Sequence, residues 1–216
     1  MIKRILDATL SGLGLVVLTP VLVVLCVLVK LYDFGPVLFV QSRVGLGGRN
    51  FKMYKFRTMI VNADQSGAPI TVGGDSRITP VGRLLRATKV DELPQLWNVL
   101  KGEMSFVGPR PEVRRYVDLY TADQTRVLEL IPGITDLASF AFYNESELLR
   151  ASRDPELYYK TVLVPEKIRI NLEYSRRANI LFDFLLIVFT VLRGFGLRAD
   201  LFSWFHVQPP QIRSGE

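Results

Sequence analysis

Two adjacent carboxylates, Asp91 and Glu92, stand in a stretch crowded with cations: Arg83, Arg86, Lys89, Lys101, Arg110, Arg114 and Arg115. Guanidinium groups hold a carboxylate ionised and draw phosphate oxygens to the same place. One reading makes Asp91 the N-cap of a helix marked by Leu93, Leu96, Trp97 and Leu100, a cap worth ~1 kcal/mol. The other makes Asp91 a nucleophile at phosphorus through an aspartyl-phosphate, with Glu92 holding Mg2+ beside substrate phosphates. The two are compatible, because a helix N-terminus itself attracts anions.

A second element is Gly108-Pro109-Arg110-Pro111. Each proline fixes its own φ, and Pro111 also drives Arg110 out of the helical region. Such a loop presents one guanidinium at a defined angle to a phosphate; the alternative is a rigid turn whose arginine points into water. Lys55 and Arg57 fall on one face of an expected strand, where both could reach a phosphate or simply line a solvated edge.

The elements that must position these groups follow from composition. The chain has 216 residues, 49% apolar and 22% charged, enough to form a core and exclude wholesale disorder. A mean hydropathy of +0.22 reflects uneven placement, for residues 10–29 carry no charged side chain. At ~1.5 Å per residue, a helix of that length could cross a ~30 Å hydrocarbon core. Thr19-Pro20 falls at its midpoint, and cations flank both ends: Lys3 and Arg4 before, Lys30, Arg43, Arg49 and Lys52 after. That charge pattern gives a straight span no orientation, whereas a kinked re-entrant helix satisfies both flanks. The run is too long for the apolar core of a signal peptide, so it is expected to be retained. The net charge of +6 points to anionic lipid or phosphorylated ligands, and on charge alone leaves nucleic acid open. With Cys26 and His206 as single representatives of their types, any metal is expected to take oxygen ligands.

Along the rest of the chain, 37–44 and 50–57 read as two strands joined across Gly45-Leu46-Gly47-Gly48. The polar stretch 62–76 reads as a loop. Thr79-Pro80 starts a helix carrying Arg83 and Arg86 on one side, and Pro111-Glu112 starts another. Pro132-Gly133 stops a fourth helix, while 145–150 and 155–164 read as helical. From Pro165 one long amphipathic helix is expected to run into 180–192, a stretch too short to span and so buried or interfacial. After Gly196 the chain reads as an unpacked end.

The runs Lys55-Phe56-Arg57-Thr58-Met59, Asp91-Glu92-Leu93-Pro94-Gln95-Leu96-Trp97-Asn98 and Val107-Gly108-Pro109-Arg110-Pro111-Glu112 closely resemble the bacterial sugar transferase family. These are the small monotopic polyprenyl-phosphate phosphoglycosyl transferases; Pro132-Gly133-Ile134-Thr135 and the proline-broken N-terminal helix match as well. The resemblance implies an enzyme that moves a sugar-1-phosphate from a UDP-sugar to undecaprenyl phosphate. UMP leaves, and the product starts glycan assembly. It further implies Asp91 as nucleophile, Glu92 as Mg2+ ligand, and Arg86 with Arg110 as the phosphate-binding pair. Membrane lipid is then a partner and nucleic acid is not; a homodimer is compatible with the resemblance. The fold implied is α+β and mostly α. Residues 1–33 form a re-entrant membrane helix broken at Thr19-Pro20, 34–195 a cytoplasmic catalytic domain with a small β-hairpin and interfacial amphipathic helices, and 196–216 a tail. The expected location is the cytoplasmic face of the bacterial inner membrane. The chain would be the family's minimal catalytic form, without the N-terminal membrane bundle of larger members. Two departures stand out: Thr19-Pro20 replaces the usual Ser-Pro, and Asp136-Leu137-Ala138-Ser139 follows the Pro-Gly-Ile-Thr motif where glycine is more common. An aspartyl-phosphate phosphatase and a basic membrane adaptor are the competing functions.

Overall fold

The apolar run forms one helix, α1, Ile2–Asp33, continuous through Pro20. The Thr19 hydroxyl donates to the Leu15 carbonyl at 2.7 Å, the back-bond expected to help accommodate the proline. This computed structural model describes residues 2–63, 70–194 and 201–210; the expected loop at 62–76 and the tail therefore lie partly outside the described residues.

Both ends of α1 grip the same globular body. Near its start, Arg4 donates to the Val99 and Leu100 carbonyls at 2.6 and 2.7 Å, Lys3 pairs with Asp183, and buried Asp7 accepts from the Phe106 amide. Near its end, Leu25 and Val29 pack with Phe56 and Leu85, and Asp33 pairs with Arg57. The opposite stripe, including Leu10, Leu13, Val16, Val17, Val24 and Leu31, is exposed. A helix of 32 residues is ~48 Å long, so this one lies along the body rather than projecting from it.

Strands β1, Leu38–Val44, and β2, Asn50–Phe56, form the expected antiparallel hairpin, with Val44 opposite Asn50 and Leu38 opposite Phe56. Thr79 caps α2, Pro80–Ala87, by accepting from the Gly82 amide at 2.9 Å. A Cβ at position 82 would lie 2.0 Å from the Thr58 carbonyl oxygen, so only glycine lets this helix sit against the end of the hairpin. Helix α3, Gln95–Lys101, packs on β2 and on α1. Asn98, fully buried, fixes it there: its amide donates to the Lys52 carbonyl at 2.7 Å and Glu103 at 2.8 Å, and its oxygen accepts from the Tyr54 amide. Asn98→Leu is expected to lower stability by more than ~2 kcal/mol, since it strands buried partners. Thermal unfolding of the purified chain in detergent checks this.

Several elements depart from the sequence reading. Pro111-Glu112 does not start a helix; α4 is Arg114–Val117, because Val113 is extended and the Glu112 carbonyl accepts from the Val44 amide at 2.8 Å. Ser105–Val107 (β3) pairs in parallel with Gly133–Thr135 (β4), a second small sheet. Between them lie α5, Ala122–Thr125, and a 3-10 turn, Arg126–Glu129. Next come α6, Leu137–Ala141, α7, Glu145–Ala151, and α8, Pro155–Tyr158, which passes through a π turn, Tyr159–Leu163, into α9, Val164–Ser175. The expected single long helix is broken here. Asn179 accepts from the Phe182 amide and restarts the chain as α10, Ile180–Gly194, whose faces are mixed: Leu186 is buried and Ile180, Leu181, Phe184 and Val191 are exposed. Nor is the tail unpacked throughout. Helix α11, Leu201–Phe205, buries Leu201 and Phe205 in the main core, with Phe205 edge-on to Tyr174, and Val207 just beyond the helix is buried there too. The described part is mostly helical, with two two-stranded sheets and one N-terminal apolar helix.

Candidate active site

Helix α2 ends at a residue in an unusual conformation. Lys89 has φ +59°, a left-handed geometry that non-glycine residues adopt at a cost and that recurs at functional sites. The chain then makes a 3-10 turn, Val90–Glu92, that carries both carboxylates below the surface. Asp91 is not the cap of α3. Pro94 occupies that position without a side-chain bond, and Asp91 Oδ1 is buried with no hydrogen-bond partner among the described residues. The capping reading fails because the proline and the preceding 3-10 turn leave the carboxylate a turn away from the α-helical amides.

Glu92 is held tightly. Lys55 Nζ lies 3.0 Å from Oε1, and Arg110 straddles both carboxylate oxygens at 2.6 and 3.3 Å. Burial alone would raise its pKa, but the charges of Arg110 and Lys55 hold it well below the usual carboxylate range. Lys55 is pushed down to about 8 by burial and by the Arg110 charge, against the pull of Glu92. Asp91 moves the other way: burial and the Glu92 charge raise it, opposed by Lys55, Lys89 and Arg86. The neighbouring carboxylates are thus pushed apart, one firmly ionised and one a poised, unpartnered group.

Arg86 comes from the last turn of α2, and its Nε donates to Thr58 Oγ1 at 2.8 Å. Burial lowers its pKa while Asp91 supports its charge. Arg110 stands on the loop after β3. There the Gly133 amide donates to the Pro109 carbonyl at 3.0 Å and the Gly108 amide to the Thr135 carbonyl at 3.1 Å, so the two short motifs clasp each other. A Cβ on Gly133 would meet the Gly108 amide nitrogen at 2.1 Å, and one on Gly108 the Ile131 carbonyl oxygen at 2.2 Å, which explains the two glycines. Behind the loop, Glu112 accepts from Arg43 at 3.2 Å and from the hydroxyl of Tyr159, and the Arg43 guanidinium also donates to the Pro111 carbonyl. The sequence reading missed Arg43, Glu112 and Tyr159 as supports; their separation along the chain leaves no local signal.

The structure brings together Asp91, Glu92, Lys55, Arg86 and Arg110, with Lys89 alongside. Arg57 goes elsewhere. Its guanidinium bonds Asp33 at 2.6 Å, the Pro36 carbonyl at 2.6 Å and the Met59 carbonyl at 3.0 Å, locking the end of α1 to the end of the hairpin. The cations around the dyad outnumber its carboxylates, which suits a diphosphate. For a divalent cation the donor set fits in one respect. Glu92 is ionised and accepts three hydrogen bonds, leaving one of about four acceptor positions open. Among the described residues no three of His, Cys, Asp and Glu gather as a metal cluster, so Mg2+ there would need oxygens from substrate phosphates.

Set against known proteins, the chain falls in one class. The profile of the bacterial sugar transferase family matches residues 1–196, and the chain belongs to that family. It is 36% identical over 206 residues to the UDP-N-acetylgalactosamine-undecaprenyl-phosphate N-acetylgalactosaminephosphotransferase of Aeromonas hydrophila, covering 91% of this chain and 45% of that protein. It is 35% identical over 204 residues to the UDP-glucose:undecaprenyl-phosphate glucose-1-phosphate transferase of Escherichia coli, covering 92% of this chain and 41% of that one. A Caulobacter vibrioides protein with the same UDP-glucose name is 43% identical over 139 residues, covering 63% of this chain and 52% of the relative. The chain therefore spans about half the length of these relatives, or less.

Proposed function

We propose that this chain is a membrane-bound phosphoglycosyl transferase that moves a sugar-1-phosphate from a UDP-sugar to undecaprenyl phosphate. The observation that carries the proposal is the buried Asp91 carboxylate, with Oδ1 unpartnered, beside an ion-paired Glu92 and a surplus of cations. The names of the relatives supply the substrate classes; they differ in sugar, and so leave the sugar of this chain open.

The reaction divides into two displacements. Asp91 attacks the sugar-bearing phosphorus of the donor, the bond to UMP breaks, and UMP departs with the electron pair. The enzyme is left with an acyl phosphate that carries the sugar. An oxygen of undecaprenyl phosphate then attacks the same phosphorus, and the Asp91 carboxylate is regenerated. Arg86 and Arg110 orient the phosphate oxygens and offset the charge that develops on them. Lys55 and Arg110 keep Glu92 ionised. Mg2+, held by Glu92 and by substrate phosphates, would neutralise charge on the transferring group. The product, a polyprenyl diphosphate-linked sugar, starts glycan assembly. The deciding assay measures UMP release with a panel of UDP-sugars. Sustained turnover that requires undecaprenyl phosphate supports the transferase; turnover without it makes the protein a hydrolase acting through the same aspartate.

The membrane reading is that α1 is immersed in the bilayer from the cytoplasmic face without crossing it. A straight span would carry Arg4 and Asp33 to opposite sides, yet both bond to the same globular body. The exposed apolar stripe of α1 then meets lipid while its Lys3 and Arg4 stay with the catalytic domain. With Cys26 replaced by alanine, a cysteine introduced beside Lys3 is expected to label only after the membrane is opened. Labelling from outside intact cells would mean a true span.

A further inference from the structure

One buried amide near the dyad has no partner. Gln95 is 1% exposed, and its Nε2 donates to nothing among the described residues. Burying an amide hydrogen without a bond is unfavourable, so the group is costly in the state seen. Of the other buried side-chain atoms without a partner, two are the hydroxyls of Ser105 and Tyr116, on β3 and α4. The remaining one is Asp91 Oδ1, an acceptor four residues before this donor.

The backbone between them is helical in sense throughout: Leu93 and Pro94 have φ, ψ of −53°, −35° and −60°, −17°, and the Leu96 amide bonds the Leu93 carbonyl at 3.0 Å. Residues one turn apart on such a path bring their Cβ atoms to roughly 5–6 Å, within reach of a glutamine side chain that rotates about its own bonds. The other polar groups around the dyad have partners: Lys55 and Arg110 are engaged by Glu92, Arg86 by Thr58, and Lys89 lies over the Tyr143 ring.

We propose that Gln95 is the positioning residue of the nucleophile. Its amide donates to Asp91 Oδ1 when the donor substrate binds, fixes the carboxylate rotamer, and leaves the second oxygen aimed at phosphorus. Both orphaned atoms are satisfied by the one bond. This rests on the covalent reading above, and it adds a residue that acts through Asp91 rather than on the substrate.

The test uses Gln95→Met, which keeps length and apolar volume and removes the donor. Rapid-quench mass spectrometry with UDP-sugar and Mg2+ measures the rate of phosphosugar transfer onto the full chain, and steady-state UMP release gives KM. The variant is expected to form the adduct about 10–100-fold more slowly, the scale of a misplaced reacting group. KM for the donor should stay within about twofold of wild type, and the melting temperature should be unchanged or higher. Adduct formation at the wild-type rate, or a loss confined to KM, would overturn the positioning role. If Gln95→Met gives no cooperative melt, Gln95→Asn is read by the same criteria, its amide withdrawn by one methylene. Failure of the wild type to form any adduct would count against the covalent reading, and is told apart from an effect of Gln95 by that control.

Discussion

Asp91→Asn is expected to abolish UMP release and adduct formation, with turnover reduced on the order of a thousandfold or more, the scale seen when a nucleophile is removed. Asparagine has nearly the same shape, so the pocket survives. The same change should leave the melting temperature unchanged or raise it. In the wild type a carboxylate is buried with one oxygen unbonded, and burial with the Glu92 charge already pushes its pKa up. Removing that charge relieves an unfavourable burial while eliminating the chemistry, a trade typical of sites kept for function. Glutamine at Glu92 should behave differently: Lys55 and Arg110 would lose the charge they share, and stability should fall with activity.

Arg110→Ala should lower kcat/KM by at least tenfold, corresponding to ~1.4 kcal/mol of transition-state stabilisation. It should also move the acid limb of activity. Despite its burial, Glu92 sits well below the ordinary carboxylate range because Arg110, and then Lys55, favours its ionised form. A depressed folded pKa contributes stability above the unfolded value and loses it only as pH falls through the folded value. Without Arg110 that folded value climbs, so Glu92 protonates, and activity fades, at a higher pH than in the wild type. Arg110→Lys should recover part of the loss, since a point charge cannot straddle two oxygens. A pH–rate profile of the three proteins checks both statements. An unchanged profile with near-normal kcat/KM in folded Arg110→Ala would return the Gly-Pro-Arg-Pro loop to a simple turn.

Local patterns in the sequence were good guides to local structure. Alternating residues around Gly45-Leu46-Gly47-Gly48 announced the hairpin, and Thr79-Pro80 announced α2, because each signal is complete within a few residues. The motifs also located the candidate site: Lys55, Arg86, Asp91, Glu92 and Arg110 converge. What stayed hidden depends on distant partners. Strands β3 and β4 have three residues each and pair across more than twenty intervening residues, so no periodicity marks them. Glu112 after Pro111 looks like a helix start, but Arg43 and Tyr159 claim its carboxylate and Val44 its carbonyl. Arg57 shares a strand face with Lys55 in the pattern, yet Asp33, 24 residues earlier, takes its guanidinium. The apolar pattern of α9 carries no mark of its break from α10, which depends on Asn179 capping the restart. The tail looked featureless because its buried residues, Leu201, Phe205 and Val207, are few and need the completed core to pack against.

In the proposed mechanism Asp91 itself carries the phosphosugar between the two half-reactions. Intact-mass analysis under rapid quench, after mixing the full chain with UDP-sugar and Mg2+ and no lipid acceptor, tests it most directly. The expected result is a mass increase equal to one phosphosugar, matched by one UMP released per enzyme, absent in Asp91→Asn and discharged on adding undecaprenyl phosphate. An unmodified mass at every quench time, in enzyme that turns over once undecaprenyl phosphate is added, would contradict it.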